Sequence, residues 1–457
     1  MVTAVFDKQQ AYQQKKQSLS AQIKQKALQS NANITLKKDT SNLFRHRDYK
    51  TNRIDVRAFN GVIAIDKENL VAEVEGMTTY ENLVAATLQF GCLPTVVPEL
   101  KSITIGGALS GVGVESSSFR YGLVHETITQ FDALLPDGRI IDCRADNENS
   151  DLFFAFPNSY GTLGYALKVT VRLVPAKKYI KLNYQHFSEA NKFFQHLKDL
   201  CLTNRDHGDI AFVDGVVFDE THQVLITAEM TDHAPWVSNY QYMKIYYQAV
   251  KTKQQDYLTT ADYIWRWDTD WFWCSKVFYL QNPLMRFLFG KWALKSTFYS
   301  KLMRFAKRNP IAQWLMRHFE KRKESVIQDV AIPIHHATEY LKFFQENIGI
   351  KPVWICPIHP LNSQTQYQLF KMQPDQLYVN FGFWDMVPSN KPAGYYNRLV
   401  ERKVFELGGN KSLYSNVFYT AEEFWTIYDK NYYQSLKNKY DPANKLNSLY
   451  NKCVEKI

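Results

Sequence analysis

Between residues 31 and 175 the chain falls into short apolar runs separated by turn residues. VIAID (62–66), LVAEVEG (70–76), FDALLPDGRIIDC (131–143) and ALKVTVRLVP (166–175) read as strands. β-Branched residues bounded by turns suit a pleated, half-buried surface. Pro136-Asp137-Gly138 inside the third run predicts a hairpin. Residues 79–90 carry helical spacing and stop at Gly91. The longest apolar run, 152–167, is interrupted by Pro157, Asn158 and two glycines, and reads as strand and turn. Residues 1–30, rich in Gln and Lys, read as a polar helix or arm, and residues 421–457 as a helical tail. Residues 176–420 mix strand-like pieces with long aromatic and basic helical stretches. The pattern is that of an α+β chain with a strand-rich module at 31–175 and a second module at 176–420.

Length and composition narrow the class. A chain of 457 residues predicts two or three domains, and 45% hydrophobic with 22% charged residues excludes a mostly disordered chain. No run supplies the roughly 18 apolar residues of a membrane span. The opening MVTAVFDKQQAYQQKKQ lacks the apolar core of a signal peptide, so a cytoplasmic location is expected. Six cysteines (92, 143, 201, 274, 356, 453) form no CxxC pair, which fits reduced thiols and predicts no metal site. Aromatics reach 15% and the formal charge is +10. That charge admits nucleic acid, an anionic membrane or a polyanionic cofactor as partner.

The most informative segment is PELKSITIGGALSGVGVESSSFRYG (98–122), with Gly106, Gly107, Gly111 and Gly113 followed by Ser116, Ser117 and Ser118. Glycines let backbone approach a ligand closely, and successive amides form an anion-binding concavity suited to a diphosphate. A tight turn between strands is the plainer alternative. The Walker pattern GxxxxGK[ST] is absent, and GxGxxG fails because Gly111 and Gly113 are followed by Ser116.

The run TIGGALSGVGVESSSFRYG resembles the FAD-binding domain of the vanillyl-alcohol oxidase, or PCMH, type. Val74-Glu75-Gly76 before a helix, Ser150-Asp151-Leu152-Phe153, and Gly161-Thr162-Leu163-Gly164 resemble further elements of that family, in order. VPELKSITIGGALSGVGVESSS, NSDLFFAFPNSYGTLGY, QDVAIPI (328–334), WICP (354–357), GGNKSLYS (408–415) and EEFWTIYD (422–429) resemble its delta(24)-sterol reductase branch. YIWRWDTDWFWCSK (263–276) and KYDP (439–442) look more like bacterial relatives, some of which act on methylene-branched fatty acyl chains. The animal enzymes of the branch carry an N-terminal membrane span that this sequence does not show.

The resemblance implies a two-subdomain PCMH-type FAD module, an α+β substrate domain and a helical tail. It places Thr104, Gly106, Gly107, Ala108, Gly111, Gly113, Glu115 and Ser116 on the FAD diphosphate and ribityl chain. Thr40, Ser41 and Asn42 would add donors from an earlier loop, and Gly161, Thr162 and Gly164 would let the last strand pass close to the cofactor. Covalent attachment in the superfamily often uses a first-loop histidine. His46 lies past that position, so the flavin is expected to be non-covalent. The branch reduces a carbon–carbon double bond of a lipid with NADPH as hydride source. No second dinucleotide motif is present, so NADPH would visit transiently. Tyr414, Lys411 and His359 are the candidate proton donors.

Residues 284–323 hold eleven Lys/Arg and one acidic residue, Glu320, a net charge equal to that of the whole chain. Phe287, Phe289, Trp292, Phe298, Phe305, Trp314 and Phe319 are interleaved with them. Basic and aromatic residues together on helices predict an interfacial, peripheral contact with an anionic membrane; a solvated basic face is the alternative. No nucleic-acid module accompanies the charge. An FAD-dependent sugar or lactone oxidase on the same fold, and a membrane-binding protein with a vestigial flavin site, are the competing functions.

Overall fold

A computed structural model describes residues 2–29, 33–39, 52–306, 309, 323–361 and 367–456. The chain opens with helix α1 (Val2–Gln29). Tyr12, Leu19 and Ile23 bury one stripe of it against Val56, Ile63 and Leu167, while Lys15 pairs with Glu75 and Lys16 with Asp132. The polar N-terminus is therefore a helix laid on the first module rather than a free arm.

Strands β1 (Ile34–Lys37) and β2 (Asn52–Asp55) form a small parallel pair. The first module's main sheet comprises β3 (Val62–Asp66), β4 (Val71–Glu75), β5 (Cys92–Pro94), β6 (Ile128–Leu134), β7 (Ile140–Arg144) and β8 (Tyr165–Pro175). Its order is β3-β4-β8-β6-β7, with β5 beside β8. The predicted Pro-Asp-Gly hairpin joins β6 to β7. Helix α2 (Tyr80–Leu88) starts at Thr79, whose hydroxyl accepts the Asn82 amide, and the chain turns at Gly91 with φ +68. Two segments differ from the sequence reading. Within the glycine-rich stretch, 105–110 is a short helix, α3 (Ile105–Ser110), followed by α4 (Ser118–Tyr121). Residues 150–155 form helix α5 (Ser150–Ala155), where strand and turn were expected, because Asn149 and Ser150 begin a turn that Leu152 and Phe153 anchor in the core.

The second module is an eight-stranded antiparallel sheet. It contains β9 (Tyr179–Phe187), β10 (Ile210–Asp219), β11 (His222–Thr231), β12 (Gln255–Thr259), β13 (Lys323–Pro333), β14 (Val353–Ile358), β15 (Tyr378–Pro388) and β16 (Asn410–Lys411). The order is β12-β9-β11-β10-β14-β15-β13-β16. Side chains alternate between its faces. Val213, Val330, Ile355, Phe381 and Phe383 point to one face, where α6 (Ala190–Asn204) and the helices Ala337–Asn347 and Tyr395–Glu406 cover them. Asp214, Asp329, Trp354, Asn380, Gly382 and Trp384 point to the other face. There Val216, Trp354 and Cys356 join one continuous core with Leu93, Phe131 and Leu152 of the first module.

Between β11 and β13 lie α7 (Tyr246–Val250), α8 (Thr260–Ile264), α9 (Pro283–Ala293) and α10 (Ser296–Ala306). The closing helices Ala421–Ile427 and Lys430–Tyr440 return to the first module, where Lys439 and Tyr440 meet Asp151.

Candidate functional site

The glycine segment sits where the two modules meet. Thr104 caps α3, its hydroxyl accepting the Gly107 amide. Gly106 packs backbone to backbone, since a Cβ there would stand 2.7 Å from the Gly76 carbonyl. Ala108 is part of the core. Gly107 is only half-buried, and a Cβ on it would meet nothing but Thr104 Oγ1. After Gly111 the chain runs extended, and the amides of Val112, Gly113 and Val114 donate to no partner among the described residues. Three consecutive free amides on a recessed segment fit the diphosphate of an extended dinucleotide such as FAD.

Other expected donors are engaged elsewhere. The Glu115 carboxylate accepts the Ser116 amide at 2.9 Å and pairs with Arg266 at 3.1 Å. Ser116 Oγ shares a hydrogen bond with Tyr263 Oη, Ser117 Oγ donates to the Thr95 carbonyl, and Ser118 Oγ accepts the Glu115 amide. Glu115 and Ser116 thereby tie the segment to the second module, and Ser117 and Ser118 fix it within the first. Thr162 Oγ1 donates to the Ser159 carbonyl, while Gly161 and Gly164 take φ of +75 and +141 in the turn before β8. Thr40, Ser41, Asn42 and His46 lie outside the described residues.

Arg266 is the hub of this junction. It is 2% exposed and meets Glu99, Glu115 and Asp214, while its guanidinium lies 4.2 Å from the Tyr263 ring. Burial and the neighbouring carboxylates raise Glu99 well above the usual carboxylate range, and burial raises Glu115. Trp354 Nε1 donates to Asp214 at 3.2 Å. Arg266 carries no motif; its partners are brought to it only by the fold.

Beside the glycine segment the second sheet presents an aromatic wall. Trp271, Phe272 and Trp273 have φ of +50, +50 and +55, a left-handed run that costs non-glycine residues of order 1–3 kcal/mol each. That run directs Phe272 between Trp384, at 4.8 Å, and Trp354, at 5.5 Å. Tyr414 stands at the same wall: Trp384 Nε1 donates to its oxygen at 2.9 Å, and it is hydrogen-bonded to Asp329. Tyr160 borders the glycine segment, with its amide donating to the Ser110 carbonyl at 2.8 Å and its ring 3.4 Å from where a Gly111 Cβ would lie. Asp329, Trp384, Tyr414 and Phe272 are half-buried, so the wall keeps an accessible face.

Of the three proton-donor candidates, Tyr414 alone stands here. Lys411 is buried, with two of its three N–H donors given to Glu401 at 2.6 Å and the Asn416 carbonyl at 2.6 Å, and it is turned away from the wall. His359 is held by Pro360 O at 3.1 Å and Arg205 at 3.1 Å, and burial lowers its pKa. Both are engaged by protein partners away from the wall. Asp329 was missed by sequence reasoning; only the register of β13 against β15 places it opposite Gly382.

A family model for the FAD binding domain matches residues 16–144, the stretch that builds the first module and its glycine segment. The chain thus carries the FAD-binding domain of a flavin-linked oxidoreductase. The chain is 28% identical over 423 residues to the delta(24)-sterol reductase of Homo sapiens, covering 90% of this chain and 78% of that one. It is 26% identical over 456 residues to the delta(24)-sterol reductase of Pisum sativum, with the same coverage. Similarity to cytokinin dehydrogenase 7 of Oryza sativa subsp. japonica, 27% over 142 residues, covers only 31% of this chain.

Proposed function

We propose that this flavoprotein reduces a carbon–carbon double bond of a lipid, most like a delta(24)-sterol reductase, with NADPH as hydride source. The observation that carries the reading is the aromatic wall of Phe272, Trp354 and Trp384 beside the glycine segment, with the half-buried Tyr414 hydrogen-bonded to it. Aromatic faces suit a sterol or acyl chain, whereas a sugar needs many polar partners. The similarity to the human sterol reductase covers 90% of the chain and so takes in this substrate half, whereas that to the cytokinin dehydrogenase covers only 31% of the chain.

The amides of Val112–Val114 would hold the diphosphate, and Gly107 would allow its close approach. FAD supplies hydride transfer when bound. The protein's own part is to bind the apolar chain, exclude water and present a proton from Tyr414 to the alkene carbon that receives no hydride.

Delivery from a membrane surface supports the same reading. Among the described residues no helix is long and apolar enough to cross a membrane. Around α9, Leu284, Phe287, Leu288 and Trp292 are 64–68% exposed, near the exposed Lys291, Lys295 and Lys301. Such a patch would seat on an anionic leaflet. Residues 310–322, with three of the eleven basic residues of the stretch, lie outside the described residues.

The test is anaerobic reduction of the bound flavin by NADPH, followed by reoxidation with Δ24-unsaturated sterols, methylene-branched acyl chains and aldonolactones. Reoxidation by a lipid alkene supports the proposal; reoxidation by lactones alone overturns it.

A further inference from the structure

Beside the aromatic wall, the Asp329 carboxyl and the Tyr414 hydroxyl are hydrogen-bonded to each other. Tyr414 oxygen already accepts the Trp384 indole N–H at 2.9 Å. Its O–H and the Asp329 carboxyl are in hydrogen-bond contact. Asn380 Nδ2 donates to Asp329 Oδ1 at 2.8 Å. Gly382 lies directly across the strand pair, and a Cβ there would come within 2.9 Å of the same oxygen. The groups facing Asp329 are thus Asn380 and Gly382 from β15 and Tyr414 from the segment after β16, with Tyr160 beyond Tyr414. Lys411, three residues before Tyr414, is turned to Glu401. No guanidinium or ammonium contributes to its titration.

We propose that Asp329 is the proton reservoir of Tyr414, which delivers that proton to the substrate; this rests on the double-bond reductase reading above. The logic is the count of lone pairs on one oxygen. With Asp329 ionised, the Tyr414 O–H points at the carboxylate and is withheld from the substrate. With Asp329 protonated, its O–H donates to the second lone pair of Tyr414 oxygen, and the Tyr414 hydrogen turns to the wall. Two donors, Trp384 and Asp329, then stabilise the negative charge that grows on that oxygen as the proton leaves.

The balance closes. The alkene accepts a hydride at one carbon, supplied with FAD bound and originating in NADPH, and a proton at the other. The Tyr414 O–H bond breaks as the C–H bond forms, the Asp329 proton moves to Tyr414 oxygen, and solvent reprotonates Asp329. The recess that holds the carboxyl pushes its pKa up to about 6. The protonated, competent form is therefore lost as pH rises through that value.

The test uses the holoenzyme and a Δ24-unsaturated sterol in detergent. Asp329→Asn should lower kcat roughly 100-fold with KM little changed, and should remove the fall in rate above about pH 6. Asp329→Glu should restore part of both. Flavin content and the rate of flavin reduction by NADPH should match wild type in each variant. A readout free of turnover is the infrared C=O stretch of a protonated carboxyl. It should disappear as pH rises through about 6 in wild type and in Tyr414→Phe, and be missing in Asp329→Asn. A variant Asp329→Asn that keeps both rate and pH profile, or a wild type with no titrating carboxyl, overturns the relay alone. A wild type reduced by NADPH but reoxidised by no alkene overturns the reductase reading beneath it.

Discussion

Replacing Arg266 by Met would test what holds the glycine segment to the second module. The guanidinium is buried against three carboxylates from three places: Glu99 before α3, Glu115 before α4, and Asp214 on β10. Methionine fills much of the volume but leaves the three acids without a cation. Breaking a buried ion pair by removing one partner costs about 3–5 kcal/mol. For a protein whose whole stability is about 5–15 kcal/mol, that is a large share. With an unfolding entropy that scales with the 457 residues, an apparent Tm loss of roughly 3–5 °C at pH 8 follows. The sign of the pH dependence follows from the raised pKa values of Glu99 and Glu115. A carboxyl whose folded pKa lies above its unfolded one adds stability at low pH and loses it as pH rises through the folded value. Removing Arg266 raises those values further. The deficit of Arg266→Met against wild type should therefore shrink toward pH 5 and widen toward pH 8. Scanning fluorimetry across that range, with bound flavin measured in parallel, checks both. Equal melting at pH 8, or a deficit that grows on acidification, would refute the reasoning.

Three further outcomes are expected. Gly107→Val should yield a folded, colourless protein, because its side chain meets only Thr104, whereas Gly106→Val should lose several kcal/mol of stability by driving into the Gly76 carbonyl; absorbance near the flavin band and thermal melts separate the two. Acid precipitation should release all flavin to the supernatant, and fluorescence travelling with the denatured chain on a gel would contradict the non-covalent reading. Changing Phe287, Leu288 and Trp292 together to Ser should abolish co-sedimentation with anionic vesicles at unchanged flavin content, and reversing Lys291, Lys295 and Lys301 to Glu should do the same; retention of vesicle binding by both variants would make α9 a simple solvent-facing helix.

Local signals in the chain are decided by local physics, and these were legible. Pro136-Asp137-Gly138 turns where it must, Thr79 and Gly91 bracket α2, and the apolar runs 62–66 and 166–175 are β3 and β8. The FAD module was legible for the same reason: its glycines and serines act within a stretch of about twenty residues. Even there, the sequence could not say that Glu115, Ser116, Ser117 and Ser118 face protein, because their partners Arg266, Tyr263 and Thr95 come from elsewhere in the chain. Among Tyr414, Lys411 and His359, residue type alone offered no way to choose. In the fold they part company: Glu401 binds one ammonium, Arg205 and Pro360 hold one imidazole, and Trp384 with Asp329 receives one phenol beside the wall, which is why the proposal rests on Tyr414. Asp329 and Tyr414 are far apart along the chain, and Asp329 faces the wall only through its register with Gly382, where a slip of one residue would turn it to the opposite face. The sequence by itself thus determined the cofactor class and most short elements, whose causes lie within a few residues. The tertiary structure decided which polar groups are free to act, since burial and pairing belong to residues that meet only after the sheets have formed.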